Sequence, residues 1–152
     1  MGTPQKAAYA RQEIFRESIP FRGHPMVRSL HPTTIEITME EYLTAGGDCI
    51  IGVGAAKGCA QLGEGLKAGL RREGSRVAVK VVVGPETFVL TAAGDPRLEL
   101  SHPHDIVIRR SMFLSDRTMA VRASAAAKDM PRSLIARLKS PGAVGTLEIE
   151  VW

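Results

Sequence analysis

Histidine and aspartate residues at matched places along this chain are of the types that bind metals and transfer protons. His31 and His102 each precede a proline, and Asp48 and Asp116 each come just before a predicted strand. An imidazole together with a carboxylate is a known ligand set for zinc, manganese or iron. One hypothesis is therefore a metal or acid–base site that combines these four residues.

The alternative for the same residues is structural. A His-Pro pair ends a loop when the imidazole hydrogen-bonds to the backbone, and aspartates commonly serve at turns and strand entries. The sequence contains no H-x-x-x-H, no H-E-x-x-H and no closely spaced cysteine pair, so no zinc motif favours the metal hypothesis. Both interpretations follow from the residues alone.

A second set of candidates is cationic and surrounds the same motifs. Guanidinium groups form two-point contacts with carboxylates and phosphates. In the predicted strand at 105–110, Arg109 faces away from Ile106 and Ile108. The predicted ligand-binding residues are Arg22, His24, Arg28, His31, His102, Arg109, Arg110 and Arg117. The alternative for these residues is a solvated basic face.

The candidates occur in pairs because the chain contains a duplicated segment. The pattern G-x-P-x5-H-P-x2-I-x-I begins at Gly23 and again at Gly94, 71 residues later. Past a three-residue gap the offset becomes 68, and we expect a two-residue insertion to move it to 70, pairing Val77 with Leu147. The gaps lie in predicted loops, where insertions are tolerated.

This duplication predicts one domain over 1–152 that consists of two pseudo-symmetric repeats, at about 12–83 and 86–152, with a flexible N-terminus at 1–10. Apolar periodicity predicts strands and helices in the same order in both copies. Predicted strands lie at 12–19 (interrupted by Pro20), 27–29, 33–38, 49–53, 76–83, 86–92, 97–101, 105–110, 117–122 and 146–152.

Two helices are predicted, at 57–72 and at 125–139, and the second should begin near Asp129 with Pro131 in its first turn. The strand at 33–38 alternates polar and apolar residues, which is typical of a half-buried strand. The predicted fold class is a β-rich α+β fold, a sandwich-like single domain with eight to ten strands and two main helices.

Composition is that of a globular protein. The 152 residues are 44% apolar and 24% charged, with a net charge of +4. The first residues, which include Lys6 and Arg11, lack an apolar signal core, so we expect a cytosolic protein. Cys49 and Cys59 are isolated and are predicted to be free, buried thiols. One Trp, two Tyr and four Phe are too few to favour a single-strand stacking platform.

Several longer motifs resemble an archaeal family of uncharacterised proteins, the domain of unknown function 371. They are R-G-H-P-x-V-R at 22–28, H-x-T-T-x-E-I-T at 31–38, G-D-C-I-I-G-V at 47–53, L-x-H-P-x-D-x-V-x-R-x-S at 100–111 and R-T-x-A-x-R-A at 117–123. The resemblance spans about 12–152. It implies a cytosolic archaeal protein with a compact β-sandwich-like fold and implies no activity.

One departure from the family pattern affects the choice of catalytic residues. The family tends to carry Ala-Asp-Lys where this chain has Ala55-Ala56-Lys57 and Ala123-Ser124-Ala125. The missing acids argue against a catalytic role at these places. They are also consistent with a helix-capping role that Ser124 can still fill.

Three functions remain open on the sequence. The favoured one is a module that binds an anionic small molecule or RNA phosphates through the repeated His-Pro and Arg motifs. The second is a small metal-assisted hydrolase that uses His31, His102, Asp48 and Asp116. The third is a structural subunit of a larger assembly. No Walker loop, nucleophile elbow or dinucleotide fingerprint points to a cofactor, and the oligomeric state is left open.

Overall fold

Eight strands form two four-stranded sheets that enclose a common apolar core. The computed structural model describes residues 13–43 and 46–152, so the N-terminal prediction for 1–10 lies outside the described residues. The strands are β1 (Phe15–Arg22), β2 (Thr34–Thr38), β3 (Ile50–Gly52), β4 (Arg76–Val83), β5 (Glu86–Ala93), β6 (Asp105–Arg109), β7 (Thr118–Ala120) and β8 (Val144–Val151). The helices are α1 (Glu64–Leu70) and α2 (Arg132–Leu138). The predicted β-rich α+β fold is confirmed.

The two sheets differ in the direction of their strands. The first sheet has the order β1-β8-β4-β5 and is antiparallel throughout. In the second sheet, β3-β2-β6-β7, the central pair is antiparallel and each outer pair is parallel. Single bridges, Arg22 to Val53 and Ala93 to Val121, join the edges of the two sheets. The strands therefore form a nearly continuous ring around the core.

In the first sheet the strands of the two copies alternate, and in the second sheet the two strands of one copy lie beside the two strands of the other. β8 lies between β1 and β4, and β2 pairs with β6. Inward side chains from both sheets, such as Val79, Ile149, Ile37 and Ile106, belong to one buried cluster. No helix within 13–43 or 46–152 is long and apolar enough to cross a membrane.

The register of the last strand differs from the sequence alignment. β4 and β8 begin at Arg76 and Val144, and the left-handed glycines Gly74 and Gly142 precede them, which keeps the offset at 68 rather than 70. Side chains of a strand alternate with a period of two, so a shift of two residues leaves the same faces inward. Apolar periodicity therefore could not separate the two alignments.

Two predicted strands and one predicted interruption were wrong. Residues 27–29 and 97–101 form no strand, because they belong to the turns that follow β1 and β5. Pro20 does not interrupt β1, which continues to Arg22. A proline removes one donor from a strand, and β1 tolerates that loss because it is an edge strand of its sheet.

Both helices are shorter than the apolar pattern predicted. A turn of 3-10 helix at Cys59–Gln61 precedes α1, and one at Ala127–Asp129 precedes α2. Leu62 and Met130 adopt extended ψ angles of 144° and 139°, which separate each turn from its helix. Pro131 is therefore the N-cap of α2 rather than a residue of its first turn.

The repeated glycines explain part of the duplicated motif. A Cβ on Gly23 would lie 2.1 Å from the Leu138 carbonyl oxygen, and one on Gly94 would lie 2.1 Å from that of Leu70. Next to them, the His24 and Asp95 N–H groups donate to the same two carbonyls. Each copy thus caps the C-terminus of the other copy's helix at a distance that only glycine allows.

Candidate functional site: the polar face of the second sheet

The outer face of the second sheet is buried although its side chains are polar. In β2 all five residues are buried, including Thr34, Glu36 and Thr38, whose side chains point away from the apolar core. The prediction of a half-buried strand was therefore wrong. Parallel neighbours need crossover connections, and residues 39–49 and 110–117 connect β2 to β3 and β6 to β7.

We call the side chains of Glu36, Cys49, Asp105, Arg109 and Arg117 the polar face. Glu36 lies at the middle of β2 opposite Val107, while Asp105 and Arg109 lie at the two ends of β6. Arg117 and Cys49 immediately precede β7 and the start of β3. The two central strands thus carry the acids and one arginine, and the flanking segments carry the rest.

One arginine holds the two acids together. Arg117 Nη1 donates to Asp105 Oδ2 at 3.0 Å and lies 3.9 Å from Glu36 Oε2. The Cys49 thiol donates to Glu36 Oε1 at 3.5 Å. The Glu36 side chain is only 7% exposed and that of Arg117 is 43% exposed. Arg117 is therefore the solvent-exposed partner of two largely buried acids.

The two acids have opposite pKa shifts. Burial, and then the charge of Asp105, raise the pKa of Glu36 to about 7. For Asp105, burial alone would raise the pKa, but hydrogen bonds from Thr38 and Arg117 and the neighbouring His102 hold the pKa below its usual value. Asp105 is thus the permanent anion and Glu36 the group that exchanges a proton near neutral pH.

Arg109 lies in a different environment from Arg117. Its Nε donates to Thr118 Oγ1 at 2.8 Å, its Nη2 donates to Ser115 Oγ at 3.4 Å, and its guanidinium carbon lies 4.9 Å from the Phe113 ring centre. Among the described residues it forms no ion pair. Burial, and then repulsion from Arg117, lower the pKa of Arg109. Its charge is therefore incompletely compensated.

The polar face consists of positions at which the two copies have diverged. By the 71-residue offset Glu36 corresponds to Val107, and Asp105 corresponds to Thr34. By the 68-residue offset Cys49 corresponds to Arg117. The residues shared by the copies build the frame, and the residues that differ build the candidate site.

The repeated histidines have structural contacts. Thr33 N–H donates to His31 Nδ1 at 3.2 Å, and the His104 and Asp105 N–H groups donate to His102 Nδ1 at 3.1 and 2.9 Å. In the same way Met26 N–H donates to His24 Nδ1 at 3.0 Å. These rings cap turns, as the structural alternative predicted. His102 also places Nε2 3.8 Å from Asp105 Oδ2, beside the polar face.

The four predicted metal ligands are not brought to one place. His31 and Leu30 N–H groups donate to the Asp48 carbonyl, and His102 and Ser101 N–H groups donate to that of Asp116. The two pairs lie beyond opposite ends of β2 and β6, which are about 16 Å long at ~3.3 Å per residue. Across the described ranges, no group of three or more His, Cys, Asp or Glu side chains is placed to hold a metal ion.

The predicted arginines are likewise divided. Arg22 pairs with Glu41, and Arg28 Nη1 lies 3.3 Å from the buried Asp48 Oδ1, an ion pair without hydrogen-bond geometry. Arg110 is exposed beside the end of β6. Of the eight predicted ligand-binding residues, the structure brings only Arg109, Arg117 and His102 to the polar face.

Sequence reasoning missed Glu36, Cys49 and the acid role of Asp105. The available signal was the alternation of polar residues at Thr34, Glu36 and Thr38. In a central strand such as β2, these residues form a buried polar face. Cys49 and Cys59 are free, as predicted, and burial raises both thiol pKa values to about 12. Cys59 is buried, whereas Cys49 is only partly buried.

Comparisons with known proteins agree with the motifs. The family described as Domain of unknown function (DUF371) matches residues 19–152. The uncharacterized protein MJ0206 of Methanocaldococcus jannaschii is 38% identical over 121 residues, which cover 80% of this chain and 89% of that protein. The matched region includes every residue of the polar face.

Proposed function

This chain belongs to the DUF371 family, and we propose that its polar face binds a small anion, a carboxylate or phosphate group, between Arg109 and Arg117. One observation carries the proposal: Arg109 is partly buried and, within the described residues, hydrogen-bonds to two hydroxyl groups and forms no ion pair, although the charge of Glu36 acts on it from a distance. A buried charge without a counterion is costly. A bound anion would supply that counterion and also offset the repulsion from Arg117.

Two features support specificity for an anion. Arg117 is oriented by Asp105, so its guanidinium is fixed before a ligand arrives. Glu36 becomes neutral as the pH falls below about 7, which adds net positive charge to the polar face. We therefore expect tighter anion binding below neutral pH than above it.

A small anion is favoured over RNA because several cations of the described part of the chain are paired with acids or partly covered. Arg22 and Arg28 are paired with acids, and Arg109 is partly covered by Phe113 and Ser115. RNA backbones are tracked by rows of exposed cations and aromatic platforms. The metal-assisted hydrolase is less favoured, because its four ligands lie as two pairs beyond opposite ends of the paired strands β2 and β6.

The two cysteines are consistent with a cytoplasmic protein. Both cysteines are free in the structure, as expected for a reducing compartment. We propose this location together with the binding function.

Calorimetric titration with sulfate and with succinate at pH 6 tests the proposal. R109Q should weaken binding of at least one of these probes by tenfold or more, since a charge-assisted contact contributes about 1.5–3 kcal/mol. R110Q is the matched control, because Arg110 is adjacent but exposed. We expect it to change the affinity by less than about twofold.

Equal affinities in wild type and R109Q would contradict the proposal, and so would the absence of saturable binding by either probe. Tight binding of an oligoribonucleotide that weakens steeply with salt would instead favour the RNA function.

A further inference from the structure

A large cavity lies away from the polar face, at the bridge where Ala93 joins Val121. Its volume is about 710 Å³, and its walls come from the start of β4, the end of β5 and the segment after β7. Arg76, Arg122, Met112 and Trp152 contribute side chains to it. This volume is within the range of small-molecule sites.

The cavity lies where the two copies differ at three positions. In the first copy, Arg22 fills the equivalent space: it pairs with Glu41, and its Nη2 would lie only 2.5 Å from a Cβ on Gly54. The second copy has Ala93, Met112 and Arg122 at the positions that correspond to Arg22, Glu41 and Gly54. The second copy therefore has a small side chain, Ala93, in place of Arg22, and it has Arg122 on the other side of the cavity in place of Gly54.

Arg122 is held in a conformation that disfavours it. Its φ angle is +54°, close to the +56° of Gly54, so the left-handed backbone is shared by both copies. A Cβ makes this conformation unfavourable, and glycine is the residue expected there. Strained residues that persist beside cavities motivate a search for function.

The Arg122 guanidinium has a poor partner. Its Nε lies 2.8 Å from the Met112 sulfur, a weak acceptor, and it forms no ion pair with any residue of 13–43 or 46–152. The acids that line the cavity are compensated elsewhere. Arg97 binds both carboxylate oxygens of Asp95 at 3.0 and 3.1 Å, and it also attracts Glu73. After the larger effect of Arg97, the charge of Arg122 also helps to lower the pKa of Asp95. Around the cavity, Arg76, Arg97 and Arg122 thus outnumber the two acids Glu73 and Asp95 by one charge.

The remaining wall offers a planar ring. Trp152, the one tryptophan of the chain, is fixed by two backbone hydrogen bonds with Arg76, of 2.8 and 3.0 Å. Trp152 is partly exposed and lines the cavity, as does Gly74, where a Cβ would meet no atom within 4 Å. Partly exposed aromatic rings can stack on planar ligands.

We propose that this cavity binds a small anionic molecule that carries a planar ring, with the anionic group on Arg122 and Arg76 and the ring on Trp152. The inference is independent of the polar face. The ligand class follows from two guanidinium groups that form no ion pair within 13–43 and 46–152, beside one indole. The three diverged positions restrict the site to the second copy.

The fluorescence of Trp152, excited at a wavelength where tyrosine does not absorb, tests the proposal directly. The full chain is titrated with adenosine 5′-monophosphate and with benzoate as anionic rings, with adenosine as a neutral ring and with inorganic phosphate as an anion alone. We expect at least one anionic ring to change the fluorescence saturably and to bind at least about tenfold more tightly than adenosine and phosphate, because each of these controls lacks one contact.

Two variants assign the binding to the cavity. R122G restores the first-copy glycine, relieves the left-handed strain and should still fold. It should weaken anionic-ring binding at least about tenfold. The triple variant A93R/M112E/R122G copies the filled arrangement of Arg22, Glu41 and Gly54 and should abolish binding. R109Q, which alters the polar face, should leave it unchanged.

A fluorescence change that is the same in wild type, R122G and the triple variant would overturn the proposal. The absence of saturable binding by both anionic rings would do so too. Loss of binding in R109Q but not in R122G would assign the ligand to the polar face instead.

Discussion

The protonation state of the Glu36 carboxyl group determines the net charge of the polar face near neutral pH. The group is buried, it shares Arg117 with Asp105, and its pKa is about 7. Asp105 has the shorter contact to the arginine, 3.0 Å against 3.9 Å, and so retains the charge. Burial, and then the charge of Asp105, outweigh the attraction of Arg117, so the pKa of Glu36 is raised.

This arrangement predicts how stability depends on pH. The folded pKa of Glu36 is above its unfolded value of 4.5, so the folded state holds the proton more tightly and stability falls as pH rises from about 4.5 to about 7. At pH 8 we expect E36Q to be more stable than wild type by as much as about 3 kcal/mol. At pH 4.5 the difference should largely disappear.

Urea unfolding at the two pH values measures this difference. E99Q, which changes an exposed glutamate, is the control and should shift stability equally at both. A destabilised E36Q at pH 8 would show that Glu36 is charged and favourably paired in the folded protein.

At the scale of elements, glycines determine how closely strands and helices approach each other. Phe21 occupies space that Cβ atoms on Gly52 and Gly145 would enter, at 2.0 and 2.4 Å from its ring. The second copy has Ala92 where the first has Phe21, with Ala120 and Val77 opposite it. The first copy combines one large side chain with two glycines, and the second combines three residues of small or medium size. Each half thus fills its core with different side chains.

The contact between β1 and α2 gives a prediction of the same kind. G23A should destabilise the protein by about 1–3 kcal/mol, because the new methyl group would overlap the backbone carbonyl of Leu138. G46A should be within about 0.5 kcal/mol of wild type, because a Cβ there meets no atom within 4 Å. Thermal unfolding of both variants provides the comparison. A neutral G23A would mean that the helix C-terminus can move away from the strand.

At the scale of the whole molecule, the two copies share both sheets. β8 pairs with both β1 and β4, and β2 pairs with β6, so most sheet contacts join one copy to the other. A copy alone would leave three of its four strands without a partner strand from the other copy. The structure thus explains why the duplication produced one domain rather than two.

We therefore expect the fragments 13–84 and 85–152 to be unfolded when separate and to recover strand structure when mixed. Circular dichroism and size-exclusion chromatography of each fragment and of the mixture will measure this. A first-copy fragment that folds as a homodimer would fit the same symmetry, since β4 corresponds to β8. A folded monomer of either fragment would contradict the prediction.

The sequence by itself determined the duplication, the order of most elements, the inward faces of the strands and the family. These follow from local patterns, because apolar periodicity and turn residues act over a few positions. It could not determine the final offset, since 68 and 70 place the same side chains inward. Likewise it could not show that residues 39–49 and 110–117 connect parallel strands. Nor could it show that the polar residues of β2 are buried.

Tertiary structure alone decided which candidate residues lie close together. β2 and β6 are antiparallel and related by the pseudo-twofold axis, so a residue lies opposite its own equivalent only at the axis, as Glu36 does with Val107. The other equivalents on these two strands, and His31 and His102 that precede them, are carried toward opposite ends. The repeated residues could therefore not converge, and the candidate site lies near the axis, where the copies differ.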